Sequence, residues 1–173
     1  RILSASVPIL VGRLSNLYGP GQNLAKPQGL ISHLCLAAAR RRALNLFVPM
    51  DTLRDYLYAD DAAAMITSLV GGVVQRQPAA PVIRNLASER PTPVAGVVRV
   101  ILQIARRPVL IALGTAPASA DQVRDLRVIS GSSDDIATTA ITPLPVGVKN
   151  VYEHILRLLR DQAYERAWTP SVP

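Results

Sequence analysis

Two stretches carry most of the residues able to do chemistry. The first is Arg13-Leu14-Ser15-Asn16-Leu17-Tyr18-Gly19-Pro20-Gly21-Gln22; the second, further on, is Arg54-Asp55-Tyr56-Leu57-Tyr58-Ala59-Asp60-Asp61. Asn16 offers amide donors and a carbonyl acceptor for sugar hydroxyls or phosphate oxygens, and Gly19 and Gly21 allow a close backbone approach. A Gly-Pro-Gly sequence is also an ordinary turn. Arg54 presents a planar fork suited to a diphosphate, while an ion pair with Asp51 or Asp55 is equally open to it. Asp60 and Asp61 suggest a metal or a paired acid and base. Neighbours at i and i+1 diverge on a helix, however, so capping a helix N-terminus is the stronger account. Both stretches suit holding a nucleotide or a sugar.

The elements that must position these residues alternate between strand and helix. Val7–Val11 is a continuous apolar, β-branched run, as expected of a strand buried on both faces. Asn16–Gln28 reads as loop, punctuated by Gly19-Pro20-Gly21 and Pro27. Gly29–Arg42 reads as a helix with Leu30, Ile31, Leu34, Leu36 and Ala38 on its apolar face. Short strands follow at Ala43–Val48 and Tyr56–Tyr58. Asp60 or Asp61 caps a helix that runs to about Val74.

Beyond a Pro78-containing linker, Val82–Ala87 is a strand. A helix opening at Ser88, or at Thr92-Pro93, turns Val94, Val97, Val98, Ile101, Leu102 and Ala105 to one side. Val109–Leu113 is extended, Arg124–Ile129 a strand and Ser132–Ala137 a short helix. Val146 to about Trp168 forms a long helix with Val151, Ile155, Leu158, Leu159 and Ala163 in its stripe. The expected fold class is α/β: an incomplete Rossmann-type parallel sheet, its last strands only, with a small α/β substrate-binding part. By this reading the Rossmann remnants lie near 7–18 and 82–105, and the substrate-binding part near 22–75 and 106–173.

Composition narrows the function classes. Nearly half of the 173 residues are apolar, enough to fill one core. No apolar run is long enough to span a bilayer, and the opening residues lack the apolar region and cleavage site of a signal peptide. The single cysteine, Cys35, excludes an internal disulfide, fits a reducing, cytoplasmic setting, and reads as a small core residue. The net charge of +7 comes almost wholly from arginine, with one dense cluster, Arg40-Arg41-Arg42, at a helix end where cations are favoured. With so few aromatic platforms, nucleic acid is not an expected partner. His33 and His154 join no cluster, so no metal site is expected.

Three motifs in order, Arg13-x-x-Asn16-x-Tyr18-Gly19-Pro20-Gly21-Gln22, Arg54-Asp55-Tyr56-x-Tyr58-x-Asp60-Asp61 and Arg84-Asn85-Leu86-Ala87-Ser88-Glu89, resemble the extended short-chain dehydrogenases. These are the NAD-dependent epimerase/dehydratase family, typified by UDP-galactose 4-epimerase. The resemblance implies a nucleotide-diphosphate sugar as partner and NAD, or alternatively NADP, as cofactor. It puts Asn16 and Arg54 on the phosphates, with Gln28 to Leu30 presenting backbone and amide groups to the nucleotide. Leu46 and Phe47 would flank the base, Tyr56 would line the same pocket, and Arg124 is a candidate for a second diphosphate arginine, alongside Gln122 and Arg127. Leu14, Ser15 and Leu17 would lie against the nicotinamide.

Relatives often carry Gly-x-Gly before the arginine-aspartate pair, where this chain has Val48-Pro49-Met50-Asp51-Thr52. Two further family features are missing. No tyrosine here is followed four positions later by lysine: the residues after Tyr18, Tyr56, Tyr58, Tyr152 and Tyr164 are Gln22, Asp60, Ala62, Leu156 and Trp168. No glycine-rich dinucleotide fingerprint occurs either. The resemblance therefore implies a C-terminal portion with no catalytic residue of its own, inactive in isolation. Its first strand should show an open edge and an apolar face. The intact protein would oxidise a sugar carbon through NAD and reduce it again, or pass it to elimination; a homodimer is open to it. A reductase or decarboxylase of the same family, or a non-catalytic ligand sensor, are the alternatives.

Overall fold

In a computed structural model, residues 7–26, 28–106, 110–114, 123–130 and 140–168 are described. The elements are β1 (Leu10–Leu14), β2 (Asn16–Tyr18), α1 (Leu30–Arg40), β3 (Leu44–Leu46), β4 (Leu53–Tyr58), α2 (Ala59–Arg76), β5 (Val82–Leu86), β6 (Pro91–Pro93), α3 (Val94–Ala105), β7 (Ile111–Leu113), β8 (Asp125–Leu126) and α4 (Leu144–Trp168). The class is mixed α/β, with a predominance of parallel pairing, as the alternation of periods required.

The first apolar run changes partners partway along. β1 pairs in parallel with β5, from Leu10 opposite Val82 to Leu14 opposite Leu86. At Ser15 the backbone N–H still reaches the Leu86 carbonyl, at 2.9 Å. The chain then continues as β2 against β4, with Asn16 opposite Tyr56 and Tyr18 opposite Tyr58. The expected loop at Asn16–Gln28 thus begins only after Tyr18, because β4 offers a second parallel edge. β4 is the hub: its first half also pairs antiparallel with β6 and in parallel with β8. β3 pairs separately with β7.

Burial on both faces, expected for the first strand, is not found. β1 has β5 as its one paired strand among the described residues, and α2 covers a single side. On the uncovered side Val11 and Ile83 are 41% and 48% exposed. The open apolar face that the sequence implied is therefore present.

Two cores result. In one, α2 lays Ala62, Met65 and Leu69 on Leu57 and Leu86, with Leu10 and Ile141 beside them. In the other, α1, α3 and α4 converge on Tyr18, Tyr56 and Tyr58. Ile31, Leu34, Cys35 and Ala38 from α1 meet Val94, Val97, Val98 and Ile101 from α3, and Val148, Val151, Tyr152 and Ile155 from α4. Each fully buried Leu or Ile contributes about 1.5–3 kcal/mol relative to exposure. Leu102 and Leu158, expected in these stripes, fall on the solvent side, at the edge of the helical repeat.

Three local expectations change. The N-cap of α2 is Tyr58, without a side-chain cap, because β4 runs into the helix with no intervening loop. Asp60 and Asp61 occupy the first turn, where the positive end of the helix favours carboxylates. Asp61 is buried, and its oxygens accept from the Thr142 backbone N–H at 2.8 Å and the Thr142 hydroxyl at 2.7 Å. It therefore ties the approach to α4 down onto α2. Ser88 does not open a helix, and α3 starts after Pro93. The strand at Arg124–Ile129 is reduced to Asp125–Leu126, the two residues that find a partner on β4. The helix expected at Ser132–Ala137 and Gln122 lie outside the described residues.

Candidate ligand cleft

Strand periodicity puts Thr52, Arg54 and Tyr56 on one face, since alternate residues of an extended chain point the same way. These three form the floor of an open cleft of about 940 Å³. Asn16, Leu17 and Tyr18 bound it from β2, and Gln22 from the loop that follows. Gln28, Gly29, Leu30, Ile31 and His33 come from the start of α1, Leu46, Phe47 and Val48 from the end of β3, and Val94 from α3. A volume of this order suits a ligand larger than a single sugar.

Arg54 has no carboxylate partner among the described residues. Its Nη1 donates to the Leu53 carbonyl at 2.8 Å and to the Arg124 carbonyl at 3.4 Å. Neither of the two ion pairs open to it forms. Asp51 lies 3.7 Å from the Arg124 guanidinium, both of them well exposed. Asp55 is fully buried and turned the other way. Its carboxylate accepts from the Ser88 N–H at 2.9 Å, the Ser88 hydroxyl at 2.8 Å and the Arg90 N–H at 3.2 Å. Asp55 thereby fastens the turn between β5 and β6 to β4. Its own carbonyl receives the Asn16 Nδ2 at 2.9 Å, which steadies the Asn16 amide at the cleft wall.

Two hydroxyls in the floor, those of Thr52 and Tyr56, are buried without a hydrogen-bond partner. Burial pushes the Tyr56 phenol up to about 12, the nearby Arg54 charge pulling weakly the other way. It stays neutral at physiological pH. Tyr18, packed edge-on against Tyr58 with ring centroids 5.5 Å apart, is raised further by burial and by the Asp61 and Tyr58 charges. Burial likewise raises the Cys35 thiol to about 12, as befits a core residue rather than a nucleophile. Phe47, half-exposed, leans on Gly114 at the end of β7, where a Cβ would come within 2.8 Å of its ring.

The structure brings Asn16, Leu17, Gln28, Leu30, Phe47, Arg54 and Tyr56 together in this cleft. Leu14 and Ser15 lie outside its lining, at the carboxyl end of β1; Leu14 is exposed and the Ser15 hydroxyl is buried without a partner. Arg124 also lies outside, with its side chain on Asp51. Sequence reasoning missed Thr52, Gln22 and His33 as cleft residues. The two-residue step from Thr52 through Arg54 to Tyr56 was a usable signal for the first. His33, whose Nε2 donates to the Lys26 carbonyl at 2.8 Å, sits on the helix face toward the loop, which its sequence neighbours do not reveal. Among the described residues no cluster of metal-ligating side chains occurs, and no helix is long and apolar enough to cross a membrane.

The strand order and the cleft beyond β2 and β4 define a Rossmann-type α/β protein. Residues 3–78 match the model of the NAD dependent epimerase/dehydratase family. A dTDP-L-rhamnose 4-epimerase from Burkholderia thailandensis is 27% identical over 100 residues, covering 57% of this chain and 26% of that protein. Among solved structures, MoeE5 in complex with UDP-glucose and NAD superposes with a TM-score of 0.74 at 22% identity, over 88% of this chain and 48% of MoeE5. UDP-glucuronic acid 4-epimerase from Bacillus cereus, in complex with UDP-glucuronic acid and NAD, gives 0.72 at 15% identity, over 88% and 46%. Over residues 3–78 the chain is similar to the extended short-chain dehydrogenases, the NAD-dependent epimerases and dehydratases. It spans about half the length of the solved structures it matches.

Proposed function

We propose that this chain supplies the substrate-gripping part of an NAD-dependent nucleotide-sugar epimerase or dehydratase, and that these 173 residues alone do not turn substrate over. One observation carries the reading. Asn16, Gln28, Leu30, Phe47, Arg54 and Tyr56 line a single cleft, in which Arg54 has no carboxylate partner among the described residues. In this reading the Arg54 fork takes the diphosphate, with Asn16 beside it. Leu46 and Phe47 flank the base, while Leu30 and Tyr56 bound the base and sugar. Arg124 would join the diphosphate only by leaving Asp51. The stretches near 7–18 and 82–105 act as the Rossmann part, and those near 22–75 and 106–173 as the substrate-binding part.

NAD, with NADP as the alternative, belongs to the same proposal. Leu14 at the end of β1 and Leu17 in β2 expose apolar side chains, and the Ser15 hydroxyl between the two strands lacks a partner. These fit one face of a nicotinamide ring. When bound, the dinucleotide supplies a hydride acceptor and donor; the residues here would orient its ring and keep water from it. A cytoplasmic setting and a homodimer of the intact protein are further parts of the proposal.

Calorimetric titration of the 173-residue chain with UDP-glucose tests the grip, and chromatography for any new UDP-sugar formed from UDP-glucose with NAD added tests the inactivity. Saturable binding without turnover is expected. Absence of binding refutes the grip, and turnover refutes the inactivity.

A further inference from the structure

The Gln22 side chain is held at the cleft wall by a hydrogen bond from α1. The hydroxyl of Ser32, a residue only 2% exposed, donates to the Gln22 Oε1 at 2.6 Å. In that arrangement the amide oxygen faces α1 and its nitrogen is turned away from Ser32. Among the described residues Nε2 has no partner. Gly29, with φ of 98°, lies directly against the same amide: a Cβ there would stand 2.5 Å from the Gln22 Cδ. The left-handed backbone favours glycine there, and the missing Cβ leaves a seat for the side chain. The result is a long polar side chain pinned by its acceptor, packed on the first turn of α1, with both of its donor hydrogens unused in the cleft wall.

We infer that Gln22 donates an amide N–H to an acceptor oxygen, phosphate or sugar hydroxyl, of a nucleotide sugar bound in the cleft, and that Ser32 and Gly29 hold it ready to do so. The inference rests on the nucleotide-sugar reading given above. A purely structural Gln22, a clasp between the loop and α1, needs only its oxygen. The two roles separate cleanly by substitution.

Gln22→Glu keeps an acceptor for Ser32 and removes the donor, while Gln22→Met keeps the length and removes both. Calorimetry of the 173-residue chain with UDP and with UDP-glucose reads the effect, with thermal melts confirming that each variant is folded. Gln22→Glu should melt like the wild type, and both variants should bind UDP-glucose about tenfold more weakly. A loss shared by UDP makes the acceptor a phosphate oxygen; a loss confined to UDP-glucose makes it a sugar hydroxyl. Affinity for both nucleotides within about twofold of wild type in either folded variant overturns the inference. A wild type that binds neither nucleotide overturns the nucleotide-sugar reading itself.

Discussion

Removing the Asp55 carboxylate should cost more stability than any other single polar change in the described residues. Asp55 is 0% exposed and accepts three hydrogen bonds, two from Ser88 and one from Arg90. A hydrogen bond to a charged group is worth about 1.5–3 kcal/mol, and donors left buried without a partner add their own desolvation cost. The three are not additive, because the Ser88 hydroxyl also accepts from the Arg90 N–H at 3.1 Å and keeps that bond. Asp55→Ala is therefore expected to lose about 4 kcal/mol, a large share of the roughly 5–15 kcal/mol typical of a domain. Asp55→Asn, which preserves shape but turns a donor toward donors, should lose about 2 kcal/mol. Adding Ser88→Ala to Asp55→Ala should recover about 1 kcal/mol by deleting an orphaned hydroxyl. Urea denaturation measures all three as shifts of midpoint at constant slope. A loss below about 1 kcal/mol for Asp55→Ala would refute the idea that this carboxylate fastens the β5–β6 turn.

Tyr56→Phe deletes a buried hydroxyl that has no partner, so it should be neutral or stabilising by about 1 kcal/mol, read from the same denaturation curves. Gly147→Ala should destabilise by about 1–2 kcal/mol, read from the melting temperature. The new methyl would stand 2.8 Å from Tyr18 Cε2 and closer to its hydroxyl, and better helix propensity only partly offsets that overlap. Stability should also fall steadily as pH rises from 9 toward 12. Burial raises the Cys35 thiol from 9.0 and the Tyr56 phenol from 10.0, each to about 12, so over that window the unfolded chain sheds protons that the folded chain keeps. Cys35→Ala should move the onset of this loss from near 9 to near 10, seen in pH-dependent denaturation.

What the sequence made legible was what depends on near neighbours. The α3 stripe of Val94, Val97, Val98 and Ile101 and the buried Cys35 follow from helical periodicity, and the α/β class follows from the alternation of periods. The cleft-facing side of β4 could be suspected from Arg54 and Tyr56 two residues apart. Long-range partners were hidden. Nothing near Asp61 in the chain points to Thr142, and nothing near Asp55 distinguishes a bond to Ser88 from one to Arg54. The strand at Asn16–Tyr18 was missed because its pairing edge lies on β4, far along the chain. Burial of β1 was overestimated because composition reports what a strand can bury and is silent on how many neighbours it has.

A crystal structure of the chain with UDP-glucose would show whether the cleft floored by Thr52, Arg54 and Tyr56 grips a nucleotide sugar. The diphosphate is expected within hydrogen-bonding distance of the Arg54 guanidinium, and the base against Leu46 and Phe47. Nucleotide seated outside this cleft, or seated within it with Arg54 turned away from the phosphates, would contradict it.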